Sequence, residues 1–203
     1  MIEIKNKKDC CGCHACMTVC PKQCISMVAD EEGFVYPKVD MSCCIGCHLC
    51  EKVCPVLHQA EPSRPLKVYA SMNKNLDIRL KSSSGGLFTL LAESVIRKRG
   101  VVFGAKFDED WNVVHSFTET IGGLAAFRGA KYVQSRMGNA YREAKRFLDE
   151  KRWVLFSGTP CQVAGLKAKL GGKYDDLLLT VDFVCHGVPS PGVFASYLKE
   201  LES

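Results

Sequence analysis

The 203-residue sequence contains no uninterrupted apolar run near the ~18–20 residues that a membrane span requires, so no transmembrane helix is expected. Its opening, Met1-Ile2-Glu3-Ile4-Lys5-Asn6-Lys7-Lys8, has no apolar h-region, and the expectation is a cytoplasmic protein rather than a secreted one. Basic runs interleaved with aromatics are missing as well, which argues against nucleic acid as a partner. At 47% hydrophobic and 24% charged, the composition is that of a soluble globular chain and excludes disorder and fibrous architectures. What the chain has in excess is cysteine, 13 in all. In a reducing compartment such a number points to metal or redox chemistry, not to a disulfide framework.

Eleven of those cysteines lie at or before Cys54; only Cys161 and Cys185 follow. Charge divides at the same place: residues 1–65 hold 7 Lys+Arg against 8 Asp+Glu, and residues 66–203 hold 20 against 14. The net values are −1 and +6, which sum to the formal +5. A modest positive excess on the larger part suits an anionic cofactor or an acidic redox partner, and a solvated basic surface explains it equally well.

Two segments repeat 34 residues apart: Cys10-Cys11-Gly12-Cys13-His14-Ala15-Cys16-Met17-Thr18-Val19-Cys20-Pro21 and Cys44-Ile45-Gly46-Cys47-His48-Leu49-Cys50-Glu51-Lys52-Val53-Cys54-Pro55. Between them, Ile25–Val28 and Phe34–Val39 read as a hairpin around Asp30-Glu31-Glu32-Gly33. This small module has little apolar material of its own, so bound metal is the expected source of its stability. Residues 1–58 are taken as the module and 59–66, with Pro62 and Pro65, as a linker. Residues 67–203 then read as an α/β domain with a mixed sheet, giving an α+β chain overall. Its elements are strands at 67–72, 101–107, 113–117, 153–156 and 177–184, and helices from Ser82-Ser83-Ser84-Gly85-Gly86 to about Arg99, at 140–151, at 162–170 and after Pro191. With no stop signal in that last helix, the chain reads as the front of a longer polypeptide, incomplete at its C-terminus.

Each cysteine segment has the form C-x2-C-x2-C-x3-C-P, in which three thiolates of one loop converge on one cubane and the fourth serves the other cluster. Zinc fits less well, because four cysteines within eleven residues are packed too tightly for two well-separated pairs. Haem attachment at Cys10-x-x-Cys13-His14 and Cys44-x-x-Cys47-His48 would need an export signal that the sequence does not carry. The pattern resembles a bacterial two-cluster ferredoxin. That resemblance implies one 4Fe–4S cluster on Cys10, Cys13, Cys16 and Cys54 and a second on Cys44, Cys47, Cys50 and Cys20. Cys11, Cys24 and Cys43 fall outside it and read as packing residues; His14 and His48 follow ligating cysteines and read as solvent-facing spacers, with tuning of cluster potential by hydrogen bonding as the alternative.

In the larger part, glycines ahead of a helix at Ser83-Ser84-Gly85-Gly86 leave free amides for an anion such as a cofactor pyrophosphate, though an N-cap turn accounts for them equally. Ser157-Gly158-Thr159-Pro160-Cys161-Gln162 joins a strand to a helix, where a ligand-facing loop is expected. A thiol at that helix N-terminus is expected to have a lowered pKa, which makes Cys161 a candidate metal ligand or nucleophile. Cys185-His186-Gly187 ends the next strand and should emerge at the same sheet edge. No acid–base group stands out as catalytic.

Together with Lys131-Tyr132-Val133-Gln134-Ser135 and Cys185-His186-Gly187-Val188-Pro189-Ser190-Pro191, these motifs resemble the beta-subunit family of coenzyme F-420 hydrogenase/dehydrogenase. The resemblance is to bacterial members with a fused N-terminal two-cluster ferredoxin module, and it covers essentially residues 10–202. It implies an iron–sulfur flavoprotein oxidoreductase that passes electrons between FAD, on the side of a hydride-carrying small molecule, and the clusters, and from them to a redox protein partner or another subunit. It implies FAD contacts at Ser83, Ser84, Gly85, Gly86, Lys131, Gln134, Thr159 and Pro160, and a further cluster that uses Cys161 and Cys185. The alternative is a ferredoxin-like carrier or docking module with no catalysis of its own.

Overall fold

In the computed structural model, which describes residues 1–59 and 64–202, the cysteine-rich part folds around the expected hairpin. Ile25–Ala29 (β1) and Val35–Val39 (β2) pair antiparallel, Ile25 opposite Val39 and Ala29 opposite Val35. The Asp30 carboxylate shapes the turn by accepting the backbone N–H groups of Glu32 and Phe34 at 3.1 and 3.0 Å. Such an Asx turn supplies partners that a tight loop's own backbone cannot. Two one-turn helices, Ala15–Val19 (α1) and Leu49–Lys52 (α2), lie inside the two cysteine segments and pack on each other.

Residues 60–63 of the expected linker lie outside the described residues. The strand expected at 67–72 does not form; the segment is irregular, with Val68 and Tyr69 largely exposed. Among the described residues no strand runs beside it, and β propensity without a partner does not make a ladder. A short helix absent from the sequence reading, Leu76–Leu80 (α3), is started by the Asn75 side chain, which accepts the Ile78 N–H at 3.2 Å. The serine–glycine turn then leads into Leu87–Arg97 (α4), with Gly86 at φ 73° as its N-cap.

Val101–Phe107 (β3), Val113–Thr118 (β4), Val154–Ser157 (β5) and Leu178–Val181 (β6) form one sheet in the order β4-β3-β5-β6. β4 is antiparallel to β3 and the other pairs are parallel, which is the mixed sheet expected. β6 stops at Val181, short of the expected 184, where Phe183 and Val184 turn out to solvent. Ala140–Asp149 (α5), Pro160–Leu170 (α6) and Pro191–Glu202 (α7) complete the elements. No helix among the described residues is long and apolar enough to cross a membrane.

The alternation of strand side chains divides the core in two. Val102 and Leu155 face α4, meeting Ala92, Val95, Leu124 and Phe127. Val101, Phe103, Val154 and Phe156 face α5 and α6, meeting Tyr141, Phe147, Val163 and Leu166. α5 buries Tyr141, Ala144, Phe147 and Leu148 at helical spacing, while Lys145–Asp149, Arg146–Glu143 and Arg146–Glu150 ion pairs cover its outer face.

That second core does not end at the α/β domain. Cys13, Ala15 and Val53 of the cysteine-rich part belong to it, with Ala15 fully buried. Close approach is possible because α6 carries glycine where the two meet: a Cβ on Gly165 would sit 3.0 Å from the Ala15 Cβ and 3.5 Å from Cys13 Sγ. A second clasp holds the hairpin to the start of α7, where the backbone N–H of Gly192 donates to the Glu32 carbonyl at 2.9 Å and Ser190 Oγ donates to the same oxygen.

Candidate iron–sulfur and cofactor sites

All 13 cysteines carry free thiols. Ten of them line two hollows. Cys20, Cys24, Cys44, Cys47 and Cys50 line one of about 360 Å³, counted with its solvent-open part; Cys10, Cys11, Cys13, Cys16 and Cys54 line another of about 330 Å³. With Cys24 and Cys11 set aside as lying outside the motif, each hollow has three cysteines of one segment and the fourth of the other, the partition that the ferredoxin resemblance implies. Among the described residues, no three His, Cys, Asp or Glu groups are gathered closely enough for a single metal ion; the thiols ring the hollows instead.

The local backbone explains how four cysteines within eleven residues can turn inward. Gly12 and His14 have φ 59° and 63°, and Gly46 and His48 have φ 64° and 58°, so each segment makes the same two left-handed steps before its short helix. Glycine takes such a step without strain, whereas histidine does so at a cost that local structure must offset. One sulfur already has an amide donor: the Ile2 N–H points to Cys50 Sγ at 3.2 Å. Burial pushes the Cys16 thiol up to about 12, which favours the neutral form unless positive charge enters the hollow. The donor set fits iron–sulfur ligation, since the metal supplies that charge and deprotonates its ligands.

The two hollows differ in their surroundings. Cys47 is exposed and His48 stands in solvent, its Nδ1 2.7 Å from Glu51 Oε2. His14, at the matching position, is not the solvent-facing spacer expected from the sequence. It is 6% exposed, lines the second hollow, and neither ring nitrogen has a hydrogen-bond partner among the described residues. It stands at the start of α1, which packs on both α5 and α6. Burial first, and the neighbouring His115 second, hold the His14 pKa down to about 4.

Of the three cysteines outside the motif, Cys24 is buried with its thiol 3.3 Å from Cys20 Sγ, and Cys43 is exposed. Cys11 is half-buried and packs with Cys161. That contact corrects the expectation for Cys161: its pKa is raised, not lowered, first by the hydrogen bond with Cys11 and then by burial. The helix N-terminus opposes this through Thr159 and the Gln162 backbone, and loses. Cys161 and Cys185 follow neighbouring parallel strands and so leave the same sheet edge, but the Cys185 thiol is directed to the Gly187 carbonyl at 3.6 Å.

The other residues singled out by sequence mostly have structural partners. Ser83 Oγ accepts the Ala130 N–H at 2.6 Å, and the Gly85 carbonyl accepts from the Asn73 N–H at 2.7 Å. Ser84 is exposed, and Gly86 gives α4 no side-chain cap, which leaves that helix N-terminus free to receive an anion. The Lys131 ammonium donates to the carbonyls of Ala126 and Arg128 at 2.9 and 2.8 Å, and burial lowers its pKa. Gln134 reaches the hairpin, its Oε1 accepting the Val35 N–H at 3.3 Å while its amide nitrogen lies over Gly12. Thr159 is the N-cap of α6 and Pro160 its first residue; the Thr159 N–H is taken by Gln162 Oε1 at 3.0 Å.

Sequence reasoning missed His115. It is buried on β4, stacked on Phe156 with ring centroids 5.6 Å apart. Its Nε2 lies 3.0 Å from the Ser157 carbonyl and must carry the proton, so Nδ1 accepts from Ser135 Oγ at 2.9 Å; Ser135 in turn accepts from Gln162 Nε2 at 2.8 Å. Burial pushes its pKa down to about 4, against the opposing bond to Ser157. A single histidine in an alternating strand gives no sign of this network; only the β4 register against the segment at Arg136 brings Ser135 beside it.

Residues 9–57 match the 4Fe-4S dicluster domain, and residues 151–203 match the family described as the C terminus of the coenzyme F420 hydrogenase/dehydrogenase beta subunit. No curated protein matches. Among solved structures, a chain in the xenon-derivatised F420-reducing NiFe hydrogenase complex from Methanosarcina barkeri is similar, with 21% identity and a TM-score of 0.51 over 65% of this chain. The match covers 50% of that relative, so the present chain spans about half its length, and at this identity the likeness concerns the fold alone. The two family matches lie in one chain, each over about a quarter of it, and by them the chain is similar to the 4Fe–4S dicluster domain and to the coenzyme F420 hydrogenase/dehydrogenase beta-subunit family.

Proposed function

We propose that this chain is the iron–sulfur part of a flavin-dependent oxidoreductase, holding one 4Fe–4S cluster on Cys10, Cys13, Cys16 and Cys54 and a second on Cys20, Cys44, Cys47 and Cys50. The observation that carries it is that the eight motif cysteines fall around two separate hollows, three of one segment and one of the other at each, with Cys24 and Cys11 as further wall residues. Bound clusters would supply single-electron transfer and a flavin would supply hydride exchange with a small-molecule carrier. The protein's part is positional. Cys13 of the Cys10 set packs into the α/β core, while Cys47 of the Cys44 set is exposed, open to the approach of another subunit or a redox protein. The uncapped N-terminus of α4, with Ser84-Gly85-Gly86, would hold the cofactor's phosphates.

One observation favours the rival reading, a carrier without flavin: Lys131 and Gln134 are already engaged by protein groups. Anaerobic reconstitution followed by iron, sulfide and flavin analysis separates the two. About eight irons per chain are expected, and about four in either Cys54→Ser or Cys20→Ser. Cys54→Ser and Cys20→Ser should deplete different clusters, which electron paramagnetic resonance distinguishes. Bound flavin that Ser84→Asp removes while iron stays complete supports the oxidoreductase reading; iron without flavin in the full-length natural protein leaves the carrier. A chain that takes up no iron at its eight cysteines refutes both.

A further inference from the structure

The two cysteine segments share sequence and backbone turns but differ in the fate of one residue, His14 against His48. His48 has a carboxylate partner and solvent. His14 is sealed at 6% exposure with both ring nitrogens unpartnered among the described residues. Buried polar groups without a partner are rare and costly, so an orphaned imidazole beside a hollow points to what the hollow receives. The hollow is the one lined by Cys10, Cys13, Cys16 and Cys54, and His14 is part of its wall. The protein groups nearby are otherwise occupied: His115, its neighbour, spends both nitrogens on Ser135 and Ser157.

Building on the cluster assignment above, we propose that His14 donates its N–H to a sulfur of the cluster held by Cys10, Cys13, Cys16 and Cys54, and so raises that cluster's reduction potential. A neutral imidazole has one N–H to give. One-electron reduction adds negative charge to the cluster and its sulfurs, and a donor aimed at them strengthens as that charge grows, favouring the reduced form. The electron comes from the reductant; the N–H proton stays on nitrogen and no covalent bond is made or broken. His48 also lines its hollow, but its Nδ1 is spent on Glu51 and its side chain is 67% exposed, so water competes for its ring where nothing competes for that of His14.

The test is a redox titration of the anaerobically reconstituted full chain, with dithionite as reductant and paramagnetic resonance as readout, in wild type, His14→Leu, His14→Asn and His48→Leu. His14→Leu should lower one of the two potentials by about tenfold in the reduction equilibrium, ~59 mV for one electron. His14→Asn keeps an N–H donor and suits the left-handed backbone, so it should restore most of the shift; His48→Leu should move neither. In wild type labelled with [15N]histidine, pulsed resonance of the reduced protein should detect a histidine nitrogen coupled to one cluster, retained in His48→Leu. Full iron with both potentials unmoved in His14→Leu overturns the proposal. If His14→Leu does not hold its iron, a labelled wild type without that coupling overturns it instead. Wild type that takes up no cluster removes the parent assignment, and the His14 role with it, whereas a loaded wild type with an unmoved His14→Leu removes only the latter.

Discussion

Acidification should weaken the α/β core through His115, and the size of the effect follows from its surroundings. Its folded pKa of about 4 lies below the ordinary 6.5, first because of burial. Above pH ~6.5 the ring is neutral in both folded and unfolded chains and contributes no slope. Between about 6.5 and 4 the unfolded chain binds a proton that the folded one refuses, so stability falls as pH falls, and the loss levels off once both are protonated. At pH ~5.5 the linkage amounts to roughly 1 kcal/mol relative to pH ~7.5. Protonation would also force Nδ1–H against Ser135 Oγ, which already accepts from Gln162, leaving the serine hydroxyl without an acceptor. Urea unfolding of wild type and His115→Gln at the two pH values measures this, and comparing the two proteins cancels acid effects on the cysteine sites and on His14. The variant is expected to be less stable at neutral pH, having lost the ring packed on Phe156, but to lose roughly 1 kcal/mol less on acidification. Equal losses in the two proteins would refute the assignment of a neutral, sealed histidine.

Three further substitutions probe the join between the parts. Gly165→Leu should destabilise by about 1–3 kcal/mol through overpacking and, because the new side chain meets Ala15 and Cys13, should cost iron at the Cys10 set before the Cys44 set; unchanged iron and melting temperature would show that α1 has room. Tyr141→Phe removes the bond from the buried hydroxyl to the Gln162 carbonyl at 2.8 Å and should cost about 1 kcal/mol, a melting shift of roughly 2–4 °C by calorimetry. Gln134→Leu removes the link to Val35 and should increase proteolytic cleavage of the hairpin at neutral pH, with clusters retained; wild-type resistance would mean that Ser190 and Gly192 suffice to hold it.

Much of this chain was legible because its signals are local. The repeated C-x2-C-x2-C-x3-C-P spacing is local, and the cysteines it picks out fall around the two hollows, with Cys11 and Cys24 beside them. The hairpin at Asp30 and the strands at 101–107 and 113–118 were also readable, since alternation and turn chemistry act within a few residues. Signals that depend on a neighbour failed. The segment at 67–72 has the composition of a strand and no strand beside it. Cys161 stands at a helix N-terminus, yet Cys11, 150 positions earlier in the chain, reverses the direction in which its thiol shifts.

By itself, then, the sequence was enough to read the class of the sheet and the hairpin, because each depends on side chains close together along the chain. Only the tertiary structure decided that one of two matching histidines is buried and the other wet, that Gln134 clasps the hairpin, and that His115 is neutral inside the core. Those outcomes are set by partners distant in the chain: Gln134 meets Val35, and His115 meets Ser135 and Ser157. Glycine at position 165 of α6 likewise lets Ala15 and Cys13 of the first cysteine segment approach the core closely.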